Sequence, residues 1–184
     1  EELMDEYLKD YQADASTIEM VYELNRKYKK QVEDTEEISR NVNWKLSNFE
    51  FDNLFNYGED NSVSFDKLNG IVGIFGKNYS GKSSIVDGLL WTVFNTTSKN
   101  ERKNVNVINQ NRPSCRGKVT IEVGHNIYTI ERTAEKYTKK LKGEVTEEAK
   151  TDLNFEVLDK TTDEIRSLNG LSRPQTDANI RKHF

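Results

Sequence analysis

The chain has 184 residues, 34% of them apolar and 32% charged, with a formal net charge of −4. That length suits one domain, or one domain with an appendage, and the acidic balance excludes a globally basic nucleic-acid binder. A lone cysteine, Cys115, excludes an intrachain disulfide and a cysteine-based zinc site, and it fits a reducing compartment. No apolar run approaches the length of a membrane span. The chain begins at Glu1 rather than at a methionine, so we expect a piece of a longer polypeptide.

Residues 1–40 are highly charged and contain no glycine or proline. Leu3, Tyr7, Leu8 and Tyr11 predict a short helix. Ser16-Thr17-Ile18-Glu19 has the form of a capping box, with Ser16 as N-cap. Ile18, Val21, Leu24, Tyr28 and Val32 then predict an amphipathic helix over 17–33. From Trp44 the character changes: Trp44, Leu46, Phe49 and Phe51 predict a strand that slips register near Asn48. Residues 57–61 are turn material, and 62–65 predict a second short strand. Ile71-Val72-Gly73-Ile74-Phe75 is a nearly unbroken apolar run, the pattern of a strand covered on both faces. A helix from Ser84 to Phe94 follows, with Trp91 and Phe94 in the core and Asp87 as a surface or packing carboxylate. Residues 95–111 are polar and predicted irregular. Residues 118–123 and 127–132 alternate around Gly124-His125-Asn126, predicting a hairpin. Residues 134–150 are charged and helix-tolerant and are expected to be mobile. Leu153, Phe155 and Val157 alternate as a strand, and a last helix opens at Thr176.

Between the apolar run and the helix, Gly76-Lys77-Asn78-Tyr79-Ser80-Gly81-Lys82-Ser83 fits G-x-x-x-x-G-K-[ST], a phosphate loop. Glycine permits the backbone N–H groups to approach phosphates closely, and the following helix presents its positive end to the same anion. The candidate nucleotide-binding residues are therefore Gly76, Asn78, Tyr79, Ser80, Gly81, Lys82, Ser83 and Ser84. Lys82 is the candidate catalytic residue, a point charge on the β/γ-phosphates. Ser83 is the candidate Mg²⁺ ligand, and the expected cofactors are ATP and Mg²⁺. Tyr79 stands where many such loops carry glycine, so it accepts whatever backbone angles the loop imposes.

The stretch from Asn53 to Gly58, then Val63-Ser64-Phe65, then Gly70 through Leu89, resembles the N-terminal ATPase lobe of the Rad50/SbcC group, in the SMC-like branch of ABC ATPases. Val119 to Val123 and Tyr128 to Arg132 are similar to that group's hairpin, Leu168-Asn169-Gly170 to its approach to the coiled coil, and the flavour is that of phage-type recombination endonuclease subunits. The resemblance implies an α/β P-loop NTPase lobe with a mixed β-sheet over residues 42–184, preceded by a helical extension over 1–40. It implies an ATPase of DNA double-strand-break repair or recombination that works with an exonuclease. Its partners would be the C-terminal lobe of the same ATPase, a second head, an Mre11-like nuclease and DNA, in the cytoplasm of a bacterial or phage-infected cell, without a membrane. The Walker B acid and the signature motif are not found in the sequence, so hydrolysis is expected to need the absent lobe, and this piece alone is expected to be inactive. The group's early arginine would fall near Phe55, where that contact is lost. Residues 1–40 read either as an appendage or as the tail of a fused Mre11-like nuclease. Two rival readings are an SMC-type chromosome-organising clamp and a small P-loop kinase, the second disfavoured by the hairpin after the helix.

Other residues carry weaker readings. His125 and His183 have no partner at metal or catalytic spacing and read as structural. Lys136, Lys139, Lys140 and Lys142 with Tyr137, and Arg112, Arg116 and Lys118, are two candidate DNA-contacting sets, each set against a solvated-surface reading because Glu135, Glu144, Glu147 and Glu148 flank the first.

Overall fold

The structure, a computed structural model, describes residues 14–34, 44–68, 70–78, 80–98, 104–141 and 144–184. The chain divides into two compact units, residues 1–40 and 41–184. The predicted helix over 3–11, Tyr79 and Lys142 lie outside the described residues.

The first unit holds helix α1, Ala15–Asp34. Its N-cap is Asp14, not Ser16: the Thr17 amide donates to Asp14 Oδ1 at 2.8 Å, and the Ser16 hydroxyl donates to that same oxygen at 3.2 Å. An anionic acceptor satisfies a free amide and also complements the positive end of the helix, which a serine does less well. Hydrogen bonds from Thr17, then from Ser16, hold the Asp14 carboxyl below the usual carboxylate range. No residue from Asp14 to Tyr28 is buried, and Met20, Leu24 and Tyr28 of the predicted stripe region are exposed.

The second unit is built on a six-stranded sheet in the order β2-β1-β3-β4-β5-β6, antiparallel at every described pairing. The strands are β1 Trp44–Asp52, β2 Asn61–Ser64, β3 Ser114–Val123, β4 Asn126–Leu141, β5 Glu144–Asp159 and β6 Glu164–Ser167. Helices α2, Lys82–Phe94, and α3, Arg173–His183, complete it with two short 3-10 turns. Strand alternation places Phe49, Phe51, Val119, Ile121, Ile130, Leu153 and Phe155 in one buried cluster that also holds Trp91 of α2 and Ile180 of α3. The predicted register slip in β1 is a bulge at Ser47: Leu46 opposes Ile121, and Asn48 opposes Thr120. The extra residue lets Leu46 and Phe49 face the same way although they are an odd number of positions apart. Ser47 Oγ donates to Asp66 Oδ2 at 2.5 Å, which pins the bulge. His183 packs between Tyr128 and Phe155, with Nδ1 2.9 Å from the Asn179 carbonyl, a structural role as read.

Two expectations are corrected. Residues 134–141 and 144–150 are strand, not a helix-tolerant segment: β4 and β5 pair without a break from Asn126–Asp159 to Leu141–Glu144. Beyond Glu135, where β3 stops pairing, they form a two-stranded arm. Lysine and glutamate are compatible with a helix, but the cross-strand partners decide. Tyr137 Oη donates to Glu148 Oε2 at 2.6 Å, Lys139 lies 3.3 Å from Glu148, and Thr138, Thr146 and Thr151 supply β-branched positions. The apolar run 71–75 is the second correction. It forms no strand, and Ile71 and Phe75 are almost fully exposed. A strand covered on both faces needs a neighbour on each edge and a layer on each side, and no described strand pairs with it. The parallel component of the expected mixed sheet is therefore absent among the described residues.

Helix α2 sits unusually close to the sheet. A Cβ on Gly117 of β3 would overlap Thr92 Oγ1 and lie 3.1 Å from Thr92 Cβ. Thr92 is fully buried, and its hydroxyl is held by the Gly88 carbonyl at 2.8 Å, so it has nowhere to go. Gly117→Ala is expected to destabilise the domain by about 1–3 kcal/mol through overpacking. A urea denaturation midpoint equal to the wild type would show that α2 shifts without cost.

Candidate nucleotide-binding site

The phosphate loop ends at Gly81, the N-cap of α2, whose φ of 90° lies in the left-handed region that favours glycine. Having no side chain, Gly81 cannot cap the helix, and the first turn carries no acidic residue. Among the described residues, no side-chain cap and no acidic residue of the first turn complements the positive end of the helix. It even starts on a cation, Lys82, which is unfavourable there unless an anion joins it. Lys82 Nζ curls back and donates to the carbonyls of Gly76, at 2.8 Å, and Lys77, at 2.6 Å. The loop is thus closed around its own lysine. Ser80 N donates to Lys77 O at 3.3 Å, and a Cβ on Gly76 would come 2.8 Å from Ser80 Oγ. Of the candidate residues, Gly76, Ser80, Gly81 and Lys82 are brought together, with Lys77 beside them; Asn78 and Ser83 are exposed, and Ser84 N donates to Gly81 O at 3.0 Å. The chemistry fits a polyphosphate: free helix-end donors, a flexible ammonium and an exposed hydroxyl one residue on. One serine hydroxyl beside bound phosphates is the donor set that Mg²⁺ uses when it keeps most of its waters.

Sequence reasoning missed the residues behind the loop. Asn56 and Tyr57 lie in the stretch that carries the family resemblance, and Tyr57 opens the predicted turn, but neither is a candidate site residue in the sequence reading. In the structure Tyr57 Oη donates to the Gly81 carbonyl at 3.1 Å, and a Gly81 Cβ would lie 2.7 Å from Asn56 Oδ1. A cavity of about 470 Å³ opens beside Asn56, lined by Phe55, Asn106, Asn109, Gln110 and Asn111. The signal available was the density of amide side chains in 104–111, which was read as loop composition.

The far end of α2 is also held by side chains. Arg132 is fully buried; its Nε donates to Thr92 O at 3.0 Å and its Nη2 to Val93 O at 3.5 Å and to Asp177 Oδ1 of α3 at 2.6 Å. Arg181 of α3 donates to Phe94 O at 2.8 Å and lies over the Phe94 ring, 5.7 Å from its centroid. Asn95 N takes Trp91 O. The last four carbonyls of α2 are therefore all satisfied, with two cations at the negative end. Burial pulls the Arg132 guanidinium below its usual range, and Asp177 opposes that shift. Asp87, read as a surface or packing carboxylate, is buried and accepts the Ser98 amide at 2.7 Å.

The candidate DNA-contacting cations are largely engaged within the fold. Lys136 donates to Asn109 O and Gln110 O, Lys139 pairs with Glu148, and Arg112 with Glu59. Arg116 is surrounded by Glu50, Asp52 and Glu131, and its contact with Glu131 raises its pKa further.

A family profile described as an AAA domain matches residues 48–181, which includes the loop, α2 and most of the sheet. The chain belongs to that family. The chain is 27% identical, over 194 aligned residues and 98% of its length, to the uncharacterized protein R555 of Acanthamoeba polyphaga mimivirus. Over 74 residues, 40% of its length, it is 35% identical to the DNA double-strand break repair Rad50 ATPase of Sulfolobus acidocaldarius. It spans 14% and 8% of the lengths of those two proteins. The structure of the recombination mediator protein RecF with ATP matches 74% of this chain and 31% of its own at 13% identity, with a TM-score of 0.47. Among the described residues of this AAA domain no helix is long and apolar enough to cross a membrane, and no three metal-ligating side chains cluster.

Proposed function

We propose that the chain is the ATP-binding half of a Rad50-like ATPase of DNA double-strand-break repair or recombination. The observation that carries this reading is the start of α2: an uncapped, acid-free helix end preceded by a glycine and opening on Lys82. Membership of the AAA-domain family supports it, as does the 74-residue similarity to a Rad50 ATPase. The phosphates lie along Gly76, Asn78, Tyr79, Ser80, Gly81 and Ser84, with Lys82 on the β/γ side and Ser83 holding Mg²⁺, which would supply charge neutralisation on the phosphates. The nucleoside occupies the amide-lined cavity beside Asn56.

The rest of the site comes from elsewhere. The exposed run 71–75 borders an apolar groove of about 560 Å³ lined by Leu46, Val63, Phe65, Ile85 and Leu89 among others. We assign that face to the C-terminal lobe of the same ATPase, which would also bring the general base. A second head would complete the nucleotide sandwich. An Mre11-like nuclease and DNA are the partners that a repair role requires, residues 1–40 are assigned as an extension outside the lobe of 42–184, and the site of action is cytoplasmic. Titration calorimetry of this chain with MgATP tests the reading. Weak, saturable binding displaced by tripolyphosphate is expected, with negligible hydrolysis. Absence of any binding at millimolar MgATP would overturn it.

A further inference from the structure

We propose that Tyr57 is a positioning residue for the phosphate loop: its phenol fixes the Gly81–Lys82 peptide so that the Lys82 amide is aimed at the bound phosphate before ligand arrives. The proposal rests on the nucleotide-site reading above and adds to it a residue outside the loop motif. Tyr57 is itself held on several sides. Its amide donates to Leu54 O at 2.9 Å, its carbonyl accepts Asn109 Nδ2 at 2.9 Å, and its ring stands edge-on to Phe51 with centroids 5.2 Å apart. The strap that carries it is braced as well. Asn53 N takes Gly58 O at 2.7 Å, Phe55 N takes Val107 O at 2.7 Å, and Asn109 N takes Asn53 O at 2.8 Å. Two of its residues, Asn53 and Phe55, both have φ of 54°. A bulky side chain in that region is disfavoured and persists only where the surroundings impose it. Residues 53–57, held in that conformation, carry Asn56 and Tyr57 to Gly81.

At Gly81 the two act together. Asn56 stands 2.7–2.8 Å from where a Cβ would be, walling one side of the residue. Tyr57 Oη takes the carbonyl, which also accepts the Ser84 amide at 3.0 Å. A peptide is planar and trans, so its C=O and the following N–H point in opposite directions. Holding the Gly81 carbonyl toward Tyr57 and the helix thus holds the Lys82 N–H outward from the helix end. Gly81 is one of the two glycines of the loop, with wide backbone freedom, so an external tether there removes disorder. A donor ordered in advance leaves less entropy to be lost on binding.

The test is Tyr57→Phe, which keeps the ring against Phe51 and removes only the hydroxyl. Two quantities are measured on the whole chain: MgATP affinity by calorimetry at a temperature where both proteins are folded, and hydrogen exchange of the Lys82 and Ser83 amides without nucleotide. The expected result is a threefold to tenfold loss of affinity, the equivalent of one hydrogen bond, with faster exchange at Lys82 and an unchanged melting temperature. Affinity within twofold of wild type with unchanged exchange overturns the proposal. So does a variant that melts earlier, or fails to fold, because the hydroxyl would then serve the fold and not the loop. If the wild type itself binds no nucleotide, the functional reading falls, while the exchange comparison still decides whether Tyr57 orders the loop.

Discussion

Replacing Lys82 with alanine is expected to weaken MgATP binding by about 100-fold or more while leaving the melting temperature close to that of the wild type. In the free protein the Lys82 ammonium makes two contacts, to the carbonyls of Gly76 and Lys77, both at exposed positions. Water replaces such contacts readily, so their loss costs the fold little. In the complex the same ammonium exchanges those carbonyls for phosphate oxygens, a charge-assisted interaction worth about 3 kcal/mol, or roughly two orders of magnitude in affinity. Alanine also leaves the loop carbonyls without their common donor, so the loop is less ordered before binding. Calorimetry with MgATP and with tripolyphosphate separates the outcomes: both should weaken in parallel. Unchanged affinity for either would refute the assignment of the phosphate loop.

The second large effect lies at the opposite end of the same helix. Arg132→Leu is expected to lower the unfolding free energy by about 3–5 kcal/mol, the range for breaking a buried ionic contact. Leucine is apolar and ends at Cδ, short of where the guanidinium stood, so the substitution also leaves unfilled space. It strands the Thr92 and Val93 carbonyls, leaves Asp177 without its cation, and unfastens α3 from α2. Arg132→Lys should rescue only part of this, because one ammonium cannot match the fork that reaches both helices. Arg181 would remain on Phe94 O, so the helix end stays partly complemented. Urea denaturation followed by circular dichroism measures the effect. A loss below about 1 kcal/mol would mean that water already reaches this site, as the unpartnered Arg132 Nη1 leaves room for it.

Much of the candidate nucleotide site is legible in the sequence because its signal is local. Eight consecutive residues carry the loop, and glycine at Gly81 is demanded by a backbone angle that the residue type alone announces. The bulge at Ser47 was also legible, since Leu46 and Phe49 could face one core only if an extra residue stood between them. The α1 cap was misplaced by two residues because Asp14 and Ser16 are both good caps and only the backbone path chooses between them. Arg132 was read as the last letter of a hairpin motif. Its partners lie 39, 40 and 45 positions away in sequence, so nothing local could reveal them.

The arm of β4 and β5 and the run 71–75 show the limit from two directions. Residues 134–150 have a composition that suits helix or strand, and the long pairing of two distant halves decided for strand. Residues 71–75 have the strongest strand pattern in the chain, and yet they form no strand, because no described strand lies beside them to pair with. Residue type and spacing are enough to specify the phosphate loop, the helix behind it, the acidic balance and the hairpin around Gly124-His125. That Tyr57 and Asn56 stand behind Gly81, that Arg132 joins two helices and that the apolar run is left open depends on how distant segments meet. Backbone angles and periodicity are properties of neighbouring residues, whereas hydrogen-bond partners and sheet edges are properties of segments brought together by folding.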